Sequence, residues 1–259
     1  MRLSRRVALG GVQLDEIHER IVIRGVDTGV PKETVESVNR MGGAGSRITR
    51  HHWETLEVSV TFAIDVPKSN MALRREIWED VVHWAQTGGW LTAEGMDDRR
   101  MWAEKAVLPG GGDLWEWLSE YTIVFRAYGV PFWQDVEPRS VGVRGVNSWT
   151  GTIGNPGHFE TVADVTFHNT SAQAMTSFAI TVGGNQISLS GFTLAAGADL
   201  IISHSEDGLL RITAGGVSIY DKRSADSADD LYVAPGTAAI SMTAGKAGTL
   251  TVSVYGRYA

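Results

Sequence analysis

From Leu56 to Val66 apolar residues occupy every second position: Leu56, Val58, Val60, Phe62, Ile64 and Val66 alternate with Glu57, Ser59, Thr61, Ala63 and Asp65. A period of two places one set on one face of a sheet, so the run predicts a strand. The alternation reaches back toward Ile48, and a strand over residues 48–66 would extend roughly 60 Å at about 3.3 Å per residue. Pro67 ends it. Ser69 or Asn70 then offers a cap for a helix, in which Leu73, Ile77, Val81, Trp84 and Ala85 recur at helical spacing. Gly88-Gly89 closes that helix, and Arg74, Arg75, Glu76, Glu79 and Asp80 are expected to face water.

The rest of the first half reads as short strands. Glu19–Arg24, Trp90–Ala93, Arg100–Val107 and Tyr121–Tyr128 are candidates, with a turn at Glu94–Asp98, a polar Gly-rich stretch over Thr28–Ser46 and a loop at Gly110–Gly112. The second half carries no helix signal. Alternating runs recur at Phe159–Phe167, Ser177–Val182, Gln186–Ser190, Asp199–Ser203, Leu209–Thr213, Val217–Tyr220, Ala239–Met242 and Thr249–Tyr255. Turn residues separate them, as at Gly183-Gly184-Asn185 and Gly215-Gly216, and short strands at such spacing predict an antiparallel β-sandwich.

Composition divides the chain at the same place. All nine tryptophans lie between Trp53 and Trp149, and of the 53 charged residues (23 Lys+Arg and 30 Asp+Glu) only 14 follow Ser148. This break predicts two domains, 1–140 and 150–259, joined near Pro138 to Gly154. The fold class is mainly β: a β-rich first domain with one packed helix, then a β-sandwich.

The formal net charge of −7 opposes long-range attraction to nucleic acid. With no cysteine, thiolate chemistry, disulfides and zinc–cysteine sites are excluded. The basic start Met1-Arg-Leu-Ser-Arg-Arg6 resembles a signal peptide, but Gly10, Gly11, Gln13 and Asp15 cut its apolar region short, and no run of 18 apolar residues suggests a membrane span.

Candidate chemistry is sparse. Gly42-Gly-Ala-Gly45-Ser46 lacks the lysine of a phosphate loop and reads as a flexible loop. His51 and His52 are adjacent in a strand and so point to opposite faces, which prevents them from chelating one ion. His158 and His168 have no acidic partner at ligand spacing, and His18, His83 and His204 are isolated. Asp221, Asp226, Asp229 and Asp230 read as a solvated acidic loop, not a calcium site. Asp97-Asp98 is a turn pair neutralised by Arg99-Arg100. Trp115, Trp117 and Trp133 could stack on sugars, but large aromatics more often fill a core or subunit interface. The sequence therefore supplies no catalytic, cofactor-binding or metal residues and predicts neither an enzyme nor a cofactor.

Five segments carry a recognisable order: Arg50-His-His-Trp-Glu-Thr-Leu-Glu-Val-Ser-Val-Thr-Phe62, Arg74-Arg-Glu-Ile-Trp78, Trp90-Leu-Thr-Ala93, Arg100-Met-Trp-Ala-Glu-Lys105 and Tyr121-Thr-Ile-Val-Phe-Arg-Ala-Tyr-Gly-Val-Pro-Phe-Trp133. In that order they resemble the siphophage distal tail proteins of phages and prophages, the Dit-like family. The closing Thr249-Leu-Thr-Val-Ser-Val-Tyr-Gly-Arg-Tyr258 is similar to the last strand of that family's galectin-like sandwich. The family has no invariant active site to carry over.

The resemblance implies a hexameric ring at the tail end, made by the N-terminal domains, with the sandwiches projecting outward. Implied partners are further copies of the chain, the tail tube protein, the tape-measure end, the tail-associated hub protein and receptor-binding proteins. The implied place is the virion, after assembly in the host cytoplasm. The fold also admits a carbohydrate-binding module, although the second half has no tryptophan after Trp149 and only Tyr220, Tyr232, Tyr255 and Tyr258 as tyrosines. For ring closure, the long strand suggests that residues 19–66 form an extended hairpin, its Thr28–Ser46 arm adding to the neighbouring subunit.

Overall fold

The computed structural model describes residues 6–39, 46–104, 106–109, 120–206 and 208–259. It is mainly β and divides into two compact units, Met1–Trp133 with Ala259, and Gln134–Tyr258.

In the first unit the elements are β1 (Val7–Leu9), β2 (Val12–Gln13), a single turn α1 (Leu14–Ile17), β3 (Ile21–Asp27), β4 (Glu33–Asn39), β5 (Ser46–Trp53), β6 (Leu56–Ile64), α2 (Met71–Gln86), β7 (Gly89–Ala93), β8 (Arg99–Ala103) and β9 (Tyr121–Ala127). The predicted helix is α2, and of the two candidate caps Asn70 is the one used: its Oδ1 accepts from Leu73 N at 3.3 Å. Strands β3, β6 and β9 form an antiparallel sheet with β6 in the middle, and β1, β2, β7 and β8 pair in the order β2-β1-β7-β8.

The alternation of β6 does what a period of two requires. Leu56, Val58, Val60 and Phe62 are fully buried, and Phe62 and Tyr121 stack at 5.4 Å between ring centroids. Ile77, Val81, Trp84 and Ala85 of α2 are buried as well, and the Trp84 ring meets Phe125 of β9 edge-on at 5.6 Å. Side chains repeating every three to four residues on α2 thus cover side chains repeating every two on the sheet, which is how a helix and a sheet share one core.

Two expectations are corrected here. Residues 48–66 are not one strand, because the ladder breaks at Glu54-Thr55 between β5 and β6. Arg74 does not face water: it is 3% exposed, and its guanidinium donates to the carbonyls of Ile64 (3.1 Å) and Val66 (2.8 Å) and to the Tyr121 hydroxyl (2.8 Å).

A short strand, β10 (Trp133–Asp135), leads into the second unit. There follow β11 (Arg139–Asn155), β12 (Thr161–Asn169), β13 (Met175–Val182), β14 (Asn185–Leu194), β15 (Asp199–His204), β16 (Leu210–Ala214), β17 (Val217–Ser218), β18 (Tyr232–Val233), β19 (Gly236–Val254) and β20 (Arg257–Tyr258). The nine-stranded antiparallel sheet runs β14-β13-β19-β12-β15-β16-β17, with β11 alongside β19 and β18 alongside β12.

The runs at Ala239–Met242 and Thr249–Tyr255 belong to one 19-residue strand. Its first part pairs with β13 (Ile240–Ala244) and its last with β12 (Gly248–Val254), so β19 joins the two halves of the sandwich. At the hand-over Gly248 lies against Phe167, where a Cβ would come within 2.3 Å of the ring, so only glycine fits. Residues 139–155, within the composition break, form a 17-residue strand. Buried side chains from both halves make one core, Phe167, Phe178, Ile180, Leu200 and Val252 among them.

Candidate assembly interface

The pairing of β3 through β6 shows one hairpin in two sections. Asp27 faces Ser59 and Glu33 faces Trp53, so a step of six residues along one arm matches six along the other and the register passes through the break unchanged. Glu54 N donates to Lys32 O at 2.8 Å within the gap. The predicted extended hairpin over 19–66 is therefore present as an intramolecular ribbon.

Its inner section is a buried sheet, since β6 has β3 on one side and β9 on the other. Val58 and Val60 are core residues with both ladder edges used and cannot receive a strand from another molecule. The outer section, β4 with β5, is a sheet of two strands among the described residues. A two-stranded ribbon is marginal in water by itself and is stabilised when a further strand covers its edge. Among the described residues no third strand pairs with this section, and the exposed Val35 (46%), with Val30 (65%) just before it, makes it the candidate assembly surface.

The break is a built feature. Gly29 has φ +60, and a Cβ there would stand 2.0 Å from the Glu57 carbonyl oxygen, so the arms approach at a point that excludes side chains. Asp27 Oδ1 accepts from Gly29 N at 3.1 Å and closes the turn. A cleft of about 970 Å³ opens beside it, lined by Asp27, Gly29, Lys32, Trp53, Glu54 and Glu57. Glu57 is bound by Arg126 at 2.8 Å, and Glu54 accepts from the Thr34 hydroxyl. Trp53 lies edge-on to Phe132 at 5.3 Å, and the fully buried Trp133 donates from its indole to Thr28 O at 3.2 Å. These contacts tie the root of the ribbon to its unit.

The other sequence candidates are scattered. His51 and His52 lie on β5, with His52 exposed. Trp115, Trp117 and Gly42–Gly45 lie outside the described residues. Trp133 is core and offers no sugar platform. Arg100 stacks over Trp90 at 4.0 Å, and Arg99 approaches Asp98 at 4.0 Å.

Two histidines do have acidic partners, which strand pairing supplies and linear spacing hides. His168 Nδ1 meets Asp199 Oδ1 at 2.7 Å across the β12–β15 pair. His204 lies between Asp164 (Nδ1 to Oδ1, 2.8 Å) and Asp230 (Nε2 to Oδ1, 2.8 Å), its side chain 8% exposed. Burial pulls the His204 pKa down, but hydrogen bonds and charge from Asp164 and Asp230 outweigh it and raise the value to about 9. Asp230 is buried as well, which corrects its reading as part of a solvated loop; Asp221 and Asp229 pair with Lys222 and Arg223. The two carboxylates approach opposite ring nitrogens and do not converge on a point, so the arrangement is a clamp and not a metal site.

No protein-family model matches the chain, and no curated protein matches it. Among solved structures it is similar to the SPP1 Dit protein, described as a paradigm of the hub adsorption apparatus in phages infecting Gram-positive bacteria: TM-score 0.69, 15% identity, with 96% of this chain and 98% of that chain covered. Two phage P2 baseplate structures in the activated conformation, with Ca and with Sr, align at TM-scores of 0.48 and 0.49 and 7% identity; each alignment covers 97% of this chain and respectively 98% and 97% of the other. The chain thus has the fold of SPP1 Dit over nearly its whole length.

Proposed function

We propose that this protein is a structural component of a phage or prophage tail tip, a distal tail protein whose first unit assembles into a ring joining the tail tube to the hub. The observation that carries this reading is the full-length fold likeness to SPP1 Dit, a protein of a phage adsorption hub. The two-stranded β4–β5 ribbon supports it, because a cyclic assembly can cover the same ribbon on every copy. In this reading six copies close the ring, partners are the tail tube, hub and receptor-binding proteins, and the chain is part of the virion without catalytic activity of its own. A net charge of −7 suits a conduit that DNA passes without being held.

Light scattering on the purified full-length protein tests this. A mass of six subunits is expected, falling to smaller species when Lys32–Gly43 is deleted, since the deletion removes ribbon and spares β6. A full-length protein that is monomeric at every concentration, or a ring that survives the deletion intact, contradicts respectively the assembly and the role of the ribbon.

A further inference from the structure

Strand β14 is the end strand of the sandwich sheet. It carries no charged residue and no proline from Asn185 to Leu194, so it lacks the usual devices that repel another strand. From Gln186 to Leu189 its outer edge is nevertheless filled. Ser224 N donates to Ser188 O at 2.8 Å and Ala228 N to Gln186 O at 2.7 Å, while Ser188 N donates to Ser227 Oγ at 3.0 Å. Arg223 bridges to Leu189. The outward groups of β14 at Gln186 and Ser188 are thus satisfied by an irregular segment that runs along this first half of the strand like a strap.

The far end of the strap is held elsewhere. Asp230 binds His204 Nε2 through both oxygens, at 2.8 and 3.0 Å, and its Oδ1 also accepts from Leu231 N at 2.7 Å. Asp164 of β12 takes the other ring nitrogen and the His204 backbone N–H at 3.1 Å. Leu231 is fully buried, and Ala163 N donates to its carbonyl at 3.0 Å. Among the described residues, the other charged or titratable groups acting on this node are Arg257 of β20, Tyr232 of β18, Glu160 and Asp229.

We propose that Arg223–Leu231 is a strap guarding the edge of β14, that the His204–Asp230 pair is its latch, and that release of the latch bares β14 to strand addition by a second copy of this chain. The occupant follows from symmetry: an uncharged antiparallel edge is complementary to itself, so two bared copies can pair by the same strand. The charged ring bonded on both sides makes the latch pH-dependent. His204 is raised from 6.5 to about 9, so the latch is complete below pH 6.5 and is lost as pH rises through about 9.

Trypsin reads the opening, because Lys222 and Arg223 stand at the start of the strap. The full-length wild type, Asp230→Asn and His204→Gln are digested at about pH 7.5 and about pH 9.5, with rates normalised to a peptide substrate, and their masses are followed by light scattering. Expected are cleavage after Lys222 or Arg223 that rises about tenfold or more at the higher pH in the wild type, fast cleavage at both pH values in the variants, and pairwise association beyond the wild-type state. If the variants fail to fold, the wild-type pH series decides alone. Cleavage that is independent of both pH and substitution overturns the latch; a strap that opens without added association overturns the guarding role.

Discussion

Arg74 and Tyr121 meet inside the first unit, guanidinium to hydroxyl at 2.8 Å, so helix α2 is tied to strand β9 by a charge-assisted bond. The same Arg74 satisfies the carbonyls of Ile64 and Val66, where the chain leaves β6 to enter the helix. Removing the side chain strands several buried acceptors at once. Arg74→Ala is expected to destabilise the first unit by about 2–4 kcal/mol, more than Tyr121→Phe at about 1 kcal/mol. Urea unfolding followed by tryptophan fluorescence checks the order of the two, since eight of the nine tryptophans belong to the first unit.

Gly29 sets the geometry of the ribbon root. Gly29→Val adds left-handed strain of about 1–2 kcal/mol and a collision with Glu57 O, where even a Cβ would stand at 2.0 Å. The ribbon must shift, and ring assembly should weaken while the secondary structure of the sandwich is retained. Unchanged mass with unchanged stability would show that the pinch has no role.

The His204 clamp gives the second unit an alkaline limb of stability. A group raised from 6.5 to about 9 contributes up to about 3 kcal/mol, fully present below pH 6.5 and lost as pH rises through 9. Thermal melts of the wild type should fall between about pH 7 and 10, and those of His204→Gln should start lower and change less over the same interval. Parallel melting curves for the two proteins would contradict the assignment.

The extent of the sandwich is tested by fragments. Strand β11 pairs with β19 from Arg139↔Val254 to Asn155↔Gly236, and Ile153 is in the core. A fragment 134–259 is expected to unfold cooperatively, whereas 156–259, lacking β11, should aggregate or melt far lower. Equal stability of the two would mean that β11 is dispensable.

Much of the fold was legible in the sequence because period two and period 3.6 are direct consequences of one buried face. The run Leu56–Val66 and the spacing Leu73–Ala85 gave β6 and α2 for that reason. Merging β5 with β6 failed because Ile48 shares the even phase of Leu56–Val66 and the hairpin register runs on through Glu54-Thr55, and the pinch at Gly29, on the opposite arm, shows where the ladder stops. Strand β11 was hidden by Gly142, Gly145, Gly151 and Gly154, which read as linker although β19 supplies partners for Gly142, Gly151 and Gly154, and Gly145 sits at a break in the register. Arg74 was misplaced because a charged residue on a helix predicts water, and its acceptors come from β6, the loop after it and β9. His204 was missed because Asp164 and Asp230 lie 40 and 26 residues away and are brought to it only by strand pairing.

The proposed ring is tested most directly by negative-stain microscopy of the purified protein. Six-fold ring particles with an open centre are the expected result. A field of compact, unassociated monomers at the same concentration would contradict the assignment to a tail tip.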